Sequence, residues 1–291
     1  MSWPRAILTD SGGYQVFSLA SLRRITDEGV VFQSHLDGST HVFTPQSTID
    51  AQLAFGSDIL MALDECPGYP VSHEYARQSM ERTIRWAHAA WTHYCQRVRG
   101  KHALFPIVQG SMFSELRREC AERLLELDAD GYAIGGLSVG EPRPLSLEMV
   151  ETTGPILPGD RPRYAMGVGK PEELAQYVAR GVDMMDCVLP SRNARNGCLF
   201  TSTGRIIIKH ARYKDDPRPI DEACGCYTCC NYSRAYLRHL YQAGEILYAS
   251  LATRHNLRRY LDIMRQIRDA IVLGNFPEYL RSVCVETVET D

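Results

Sequence analysis

The stretch GVDMMDCVLPSRNARNG, residues 181 to 197, decides the fold because it joins a short apolar run to a carboxylate and two arginines. We interpret Met184 to Leu189 as a buried strand of an α/β protein that opens into an Arg-bearing loop. An aspartate at the end of such a strand is either a functional residue or a charge that needs a partner. Asp186 is therefore the residue that the sequence must explain.

Composition sets the broad class. A chain of 291 residues with 44% hydrophobic and 23% charged residues predicts one large soluble domain or two small ones. The N-terminus lacks the apolar segment of a signal peptide, and no later run approaches the roughly 18 apolar residues of a membrane span. We therefore expect a cytoplasmic protein without membrane contact. A net charge of −3 argues against indiscriminate nucleic-acid binding but leaves a local basic face possible.

Polar or glycine-rich features follow about six predicted strands, among them Leu104 to Val108. The carboxyl ends of parallel strands are where α/β barrels carry their active sites. We therefore predict an α/β fold of the (β/α)8 TIM-barrel type with about six βα units visible; an open doubly wound sheet is the alternative. The residues at these strand ends are Asp10, Asp64, Gln109, Gly136, Met166 and Asp186.

Turn and capping residues place the other elements. Asp37-Gly38 predicts a tight hairpin turn, and Thr44-Pro45 predicts the start of a helix that ends at Gly56. We also expect Ser114 to cap a helix that runs to Leu127. A further hairpin is predicted around residues 202 to 204, and helices over 72 to 99, 234 to 242 and 256 to 273.

Cys224-x-Cys226-x2-Cys229, followed by His255, predicts a closed zinc site. Three thiolates and one imidazole complete a tetrahedron and leave no place for a catalytic water, so one structural zinc per chain is expected. Cys230 could replace Cys229, and unrelated buried cysteines are the alternative.

These features suggest three regions. Residues 1–197 hold barrel units with the active site, 198–232 a hairpin and an inserted zinc-binding subdomain, and 233–291 the helices that complete the zinc site. Basic residues between Arg192 and Arg218 form either a solvated face or a surface for RNA.

Several motifs together resemble the tRNA-guanine transglycosylases, or queuine tRNA-ribosyltransferases, of bacterial type. They are LTDSGGYQV, SHLDGS, MALDEC, YAIGGLSVGE, MGVGKP, DCVLPSRNARNG and the cysteine cluster, and they span Ile7 to about Leu280. The resemblance implies a zinc-bearing barrel in queuosine biosynthesis. Bacterial members exchange the wobble guanine of tRNAs for Asp, Asn, His and Tyr for 7-aminomethyl-7-deazaguanine, and Cys66 with Val139 matches the bacterial pattern.

The resemblance also implies a role for each matching residue. Asp186 would be the nucleophile that forms a covalent enzyme–tRNA intermediate, Asp10 the general acid/base, and Asp64 the group that binds the amidine edge of the base. Arg192, Arg195 and Lys170 would hold the anticodon loop of tRNA. The further residues expected to bind the purine or 7-deazapurine base are Cys66, Gln109, Gly136, Leu137, Glu141, Tyr14 and Met166.

Family members normally have about two more βα units before the strand that ends at Asp10. We therefore expect this chain to lack the N-terminal part, which leaves its own activity open. The alternatives are a non-catalytic tRNA-binding partner subunit, an inactive shortened homologue, or a metal-dependent barrel hydrolase. The hydrolase would need His ligands at strand ends, and the six positions above carry none. The resemblance further implies a homodimer.

Overall fold

The computed structural model describes residues 2–14, 23–34 and 36–285, except for the side chains of residues 284 and 285. The LTDSGGYQV motif beyond Tyr14 and the tail after residue 285 lie outside these ranges. Contacts divide the chain into two units, Met1–Val168 with Arg180–Met185, and Gly169–Ala179 with Asp186–Asp291. The region boundaries suggested at residues 197 and 232 stay a prediction.

The first unit is a mixed α/β structure. Its described strands are β1 (Leu8–Thr9), β2 (Arg23–Ile25), β3 (Val30–Gln33), β4 (Thr40–Phe43), β5 (Ile59–Met61), β6 (Ala103–Phe105), β7 (Ile107–Val108), β8 (Tyr132–Ile134), β9 (Arg163–Ala165) and β10 (Met184–Met185). One parallel sheet has the order β1-β5-β6, and a second has the order β10-β9-β8-β7. The antiparallel order β2-β3-β4 confirms the hairpin predicted at Asp37-Gly38, where Gly38 has φ +74°.

Helices follow most of the parallel strands, as an alternating α/β chain requires. Those of the first unit are α1 (Pro45–Ala54), α2 (His73–Arg97), α3 (Ser114–Leu124) and α4 (Arg143–Thr153). Thr44 caps α1 as predicted, because its side chain accepts from the Ser47 N–H at 3.1 Å. The prediction for Ser114 was wrong: it is the first residue of α3, and the capping position belongs to Phe113, which makes no side-chain cap.

The strand predicted over Leu104 to Val108 is divided in two. Pro106 lies between β6, which pairs with β5, and β7, which pairs with β8. Proline has no N–H to donate to a neighbouring strand, so the ladder is interrupted there. Gln109 nevertheless follows the end of β7 directly, as predicted.

Residues 181 to 197 differ from the predicted strand and loop. β10 contains only Met184 and Met185, both half-buried, and helix α6 (Leu189–Arg195) begins four residues later with Pro190 in its first turn. A proline is well suited to the first turn of a helix, where its missing N–H is not needed. The two arginines therefore lie in the last turn of a helix rather than in a loop.

The second unit is built on α-helices and one hairpin. Its elements are α5 (Leu174–Ala179), α6, β11 (Cys198–Thr201), β12 (Gly204–Ile207), α7 (Tyr227–Asn231), α8 (Arg234–Ala243), α9 (Ile246–Val272) and α10 (Phe276–Val285). The hairpin is confirmed by antiparallel β11 and β12. Helix α9 begins ten residues before the predicted start, so His255 lies inside a helix. Its buried face packs on α6, and Leu199, Leu237 and Leu251 belong to one core cluster.

The core of the first unit places the strand ends. Met61, Phe105, Ile107, Ala133 and Tyr164 form one buried cluster contributed by both parallel sheets. Burial of side chains of this size stabilises the strands by roughly 1.5–3 kcal/mol each. The residues that follow β5, β7 and β8 are thereby held in fixed positions at the carboxyl ends of their strands.

Candidate active site

Asp64, three residues after the end of β5, is the centre of a buried polar cluster in the first unit. The side chain of Gln109 donates to Asp64 Oδ2 at 2.7 Å, and the hydroxyl of Ser11 donates to Oδ1 at 3.5 Å. The residue is only 7% exposed. Burial raises the pKa of Asp64 to about 7, with a further contribution from the negative charge of Asp10. Near neutral pH this carboxyl group can therefore change its protonation state.

The Asp10-Ser11-Gly12-Gly13 segment lies against Asp64. The N–H of Ser11 donates to Asp10 Oδ1 at 2.8 Å, and the N–H of Gly13 donates to the Ser11 hydroxyl at 3.2 Å. A methyl group on Gly13 would stand 2.5 Å from Asp64 Oδ1. The structure thus brings the two carboxylates predicted at the ends of β1 and β5 close enough for the charge of Asp10 to raise the pKa of Asp64.

Gln109 and Cys66 complete the polar wall around Asp64. Burial, and next the charge of Asp64, raises the pKa of the Cys66 thiol to about 12, so this side chain stays a neutral thiol. Gln109 Oε1 is buried and accepts no hydrogen bond within the described part of the chain. A methyl group on Gly136 would come within 2.6 Å of that oxygen. A buried acceptor without a donor is costly unless something else supplies one.

The loop after β8 exposes backbone groups and is held by one carboxylate. Glu141 accepts from the N–H of Ser138 at 2.6 Å and from the N–H of Val139 at 2.8 Å, and the hydroxyl of Ser146 donates to it as well. Ser138 has φ +59°, an uncommon left-handed conformation for a residue other than glycine. Several hydrogen bonds donated to the Glu141 carboxylate therefore fix the path of the loop that contains Gly136 and Leu137.

Arg117 is a residue of this site that the sequence analysis missed. It is fully buried, and its guanidinium donates to the carbonyls of Ser111 at 2.6 Å, Gly135 at 3.0 Å and Gly136 at 3.2 Å. Burial lowers the pKa of Arg117 to about 10. A helical pattern could have placed it inward, because Arg117, Ala121 and Leu124 follow the i, i+4, i+7 spacing of the buried face of α3.

Tyr14 and Met166 were predicted to enclose a base between them. Tyr14 is 50% exposed, and Met166 packs beside the core cluster of the first unit. An exposed ring and a thioether can both lie on the flat face of a purine. Their pairing across a base stays a prediction.

The second unit contains Asp186 and the predicted tRNA-binding side chains. Asp186 follows β10 and is exposed, as are Lys170, Arg192 and Arg195. Asp183, which is also exposed, accepts from the N–H of Arg163 at 2.9 Å and so serves the pairing of β9 with β10. Asp183 therefore has a structural role. The roles of Asp186 and of the three basic residues stay predictions.

The four predicted metal ligands of the second unit lie together. The potential ligand atoms of Cys224, Cys226, Cys229 and His255 are all within 4.8 Å of one another. The three Sγ atoms lie 3.7, 3.6 and 3.3 Å from His255 Nδ1, in chain order. His255 Nε2 is 2.8 Å from the carbonyl of Phe200, to which it can donate, and this leaves Nδ1 as the metal-facing atom. Cys230 is exposed and is not part of this group.

The donor set decides which metals fit. Three sulfur atoms and one imidazole nitrogen are ligands that zinc prefers in closed tetrahedral sites, and no carboxylate that would favour calcium or magnesium is among the four. Hydrogen bonds from Cys229 and His255 lower the pKa of Cys226, toward the thiolate that binds metal. The four residues therefore fit a structural metal ion.

Fold and site together define a mixed α/β protein with a carboxylate cluster at its strand ends and a Cys3His group that could hold a metal ion. Comparison with known sequences identifies its family. The family described as queuine tRNA-ribosyltransferase matches residues 1–288. The chain belongs to this family, which confirms the resemblance seen in its motifs.

Individual relatives agree with the family match. A queuine tRNA-ribosyltransferase of Solibacter usitatus (strain Ellin6076) is 73% identical over 286 residues, which cover 97% of this chain and 76% of the relative. One from Caldanaerobacter subterraneus subsp. tengcongensis is 58% identical over 271 residues, covering 93% of this chain and 72% of the relative. One from Koribacter versatilis (strain Ellin345) is 54% identical over 286 residues, covering 94% and 74%.

No helix within residues 2–14, 23–34 and 36–285 is long and apolar enough to cross a membrane.

Proposed function

We propose that this chain is a tRNA-guanine transglycosylase of queuosine biosynthesis. It exchanges the wobble guanine of tRNAs for Asp, Asn, His and Tyr for 7-aminomethyl-7-deazaguanine. The observation that carries this proposal is the group of Asp64, Gln109 and Asp10 at strand ends, in which Asp64 and Gln109 are buried, in a member of this family. Such a group can hold the donor-rich edge of a guanine-like base.

The reaction proceeds by two displacements at the ribose. A carboxylate oxygen of Asp186 forms a bond to C1′ while the bond from C1′ to N9 of guanine breaks, and its electron pair leaves with the base. Asp10 gives the departing guanine a proton. It later takes a proton from the incoming base, whose ring nitrogen then attacks C1′ and displaces Asp186. Two inversions restore the original configuration, by the logic of retaining glycosidases.

Base recognition uses the buried cluster. Ionised Asp64 accepts from the two N–H groups of the amidine edge, while the amide of Gln109 and the backbone of Gly136 and Leu137 face the carbonyl edge. Two contacts support these assignments: Gln109 is already oriented by Asp64 at 2.7 Å, and Arg117 holds the carbonyl of Gly136. The thiol of Cys66 limits the size of the bound base.

Other side chains hold the rest of the substrate. Tyr14 and Met166 enclose the flipped base, and Glu141 stabilises the loop as the bound base changes. Arg192, Arg195 and Lys170 contact the anticodon loop through phosphates and unpaired bases. The basic last turn of α6 supports this part of the proposal.

The proposal also includes the barrel, the metal ion and the oligomeric state. The parallel strands belong to a (β/α)8 barrel, with the strand broken at Pro106 common to its two sheets. Cys224, Cys226, Cys229 and His255 hold one structural zinc ion, which stabilises their subdomain. The protein acts in the cytoplasm as a homodimer.

The test is exchange of labelled guanine into tRNA by wild type and by Asp186→Asn. The variant is isosteric but is a far weaker nucleophile, so exchange should fall at least about a thousandfold, as for other covalent nucleophiles. Asp183→Asn is the matched control, because the Asn oxygen can still accept from Arg163, and it should exchange at the wild-type rate. Wild-type exchange by Asp186→Asn would show that the nucleophile is assigned wrongly.

A further inference from the structure

Tyr260 lies in α9, five residues after His255, and has no role in the reaction as described so far. Only 9% of the residue is exposed, and its hydroxyl donates to the carbonyl of Gly169 at 3.2 Å. The ring of Phe200 packs against it edge to face, with 5.7 Å between the ring centroids. The side chain is thus fixed at both its ring and its hydroxyl.

Cys187, the residue after Asp186, forms a hydrogen bond to the same carbonyl group, that of Gly169. The thiol of Cys187 donates to Gly169 O at 3.2 Å, and its sulfur is a second acceptor within reach of the Tyr260 hydroxyl. The N–H of Leu189 donates to Cys187 Sγ at 3.4 Å. Burial raises the pKa of both Cys187 and Tyr260, so each keeps the proton that it donates. Cys187 is therefore anchored from several directions.

One turn earlier, α9 holds the chain on the other side of this segment. Asn256 is fully buried, donates to the carbonyl of Pro190 at 3.0 Å and of Cys198 at 3.1 Å, and accepts from the N–H of Phe200 at 3.0 Å. Helix α9 thus fixes the chain at Cys187 and at Pro190. Asp186 lies at the start of this fixed segment.

We propose that Tyr260 is a positioning residue that holds Cys187, and through it the adjacent Asp186, in the orientation needed for attack on the ribose. The inference rests on the proposed function, in which Asp186 is the nucleophile. It adds that the rate of attack depends on a buried hydroxyl group in α9 that bonds to the protein itself. Small displacements of a reacting group lower rates strongly, whereas they need not affect binding.

The experiment compares Tyr260→Phe with Tyr248→Phe. Tyr248 lies in the same helix, is 3% exposed, and its hydroxyl makes no hydrogen bond to the described residues, so its loss breaks no hydrogen bond among them. Covalent enzyme–tRNA complex is followed on denaturing gels under single-turnover conditions, without the incoming base. We expect Tyr260→Phe to form it about tenfold more slowly, with KM for tRNA, metal content and melting midpoint close to wild type. Tyr248→Phe should match wild type.

A double-mutant cycle tests the route through Cys187. Cys187→Ala alone should also slow complex formation, and adding Tyr260→Phe should slow it little further, because the two residues act as one unit. Fully additive effects would overturn the proposed route. Equal slowing by Tyr260→Phe and Tyr248→Phe would overturn the positioning role, and so would a wild-type rate for Tyr260→Phe.

The Asp186→Asn variant separates the two proposals. If it forms no covalent complex while Tyr260→Phe reacts like wild type, only the role of Tyr260 is wrong. If Asp186→Asn still forms the complex, the nucleophile itself is misassigned.

Discussion

The raised pKa of Asp64 predicts that base affinity depends on pH. In the empty site this carboxyl group has a pKa of about 7, but on our proposal the bound base needs the ionised form to accept its two N–H groups. At about pH 8 roughly nine tenths of the groups are ionised, and at about pH 6 roughly one tenth. The dissociation constant for the base should therefore be about tenfold larger at pH 6 than at pH 8.

The assay is equilibrium binding of 7-aminomethyl-7-deazaguanine to the free protein across this range, for wild type, Asp64→Asn and Asp10→Asn. The Asp64 variant should bind weakly with little pH dependence. A flat profile for wild type would refute the reasoning. A slope that survives in Asp64→Asn but disappears in Asp10→Asn would assign the titration to the wrong carboxyl group.

The same equilibrium affects stability in a definite direction. The folded pKa lies above the ordinary value of 3.8, so this group stabilises the fold fully below about pH 4, and that contribution is lost as pH rises through about 7. Each pKa unit is worth about 1.4 kcal/mol, which gives a loss of about 4 kcal/mol. Asp64→Asn should remove this pH dependence in urea unfolding curves measured beside wild type.

Three further predictions concern the two sites. Arg117→Met leaves three buried carbonyls without their donor and should lower the free energy of unfolding by about 3 kcal/mol or more; a change below about 1 kcal/mol in urea titration would contradict the burial of this cation. Gly13→Ala places a methyl group 2.5 Å from an oxygen of Asp64. Base binding measured by calorimetry should therefore weaken about tenfold or more. Unchanged affinity would mean that the base does not use this oxygen. Cys229→Ser should reduce bound zinc and lower the melting midpoint, since structural zinc contributes several kcal/mol to folding; full zinc content in the variant would point to Cys230 as the ligand.

The candidate site could be predicted from sequence where a residue type is tied to a position along the chain. Asp10 and Asp64 follow short apolar runs, and parallel strands that end at one edge bring such residues together. The cysteine spacing similarly predicts a zinc site with one further ligand, and His255 lies beside the three cysteines. Local pattern and chemistry sufficed in these cases.

Contacts between distant parts of the chain could not be predicted from local sequence. Arg117 is an ordinary helix former, and only its three carbonyl partners, which come from loops after β7 and β8, show why it is buried. The apolar run after Met185 reads as a strand by composition, yet Pro190 and the packing of α6 on α9 make it helical. Tertiary contacts there outweigh the local preference.

The glycines around the buried carboxylate limit how substrate choice can change over evolutionary time. At Gly13, Gly135 and Gly136 a methyl group would come within 2.8 Å of a side-chain atom of Asp64 or Gln109. Glycine has no side chain that could be shortened, so these positions cannot provide more room for a larger base. Room can come only from a position that has a side chain to shorten, and Cys66 is one. A lineage that adopts a bulkier base should therefore change at Cys66 while its glycines remain.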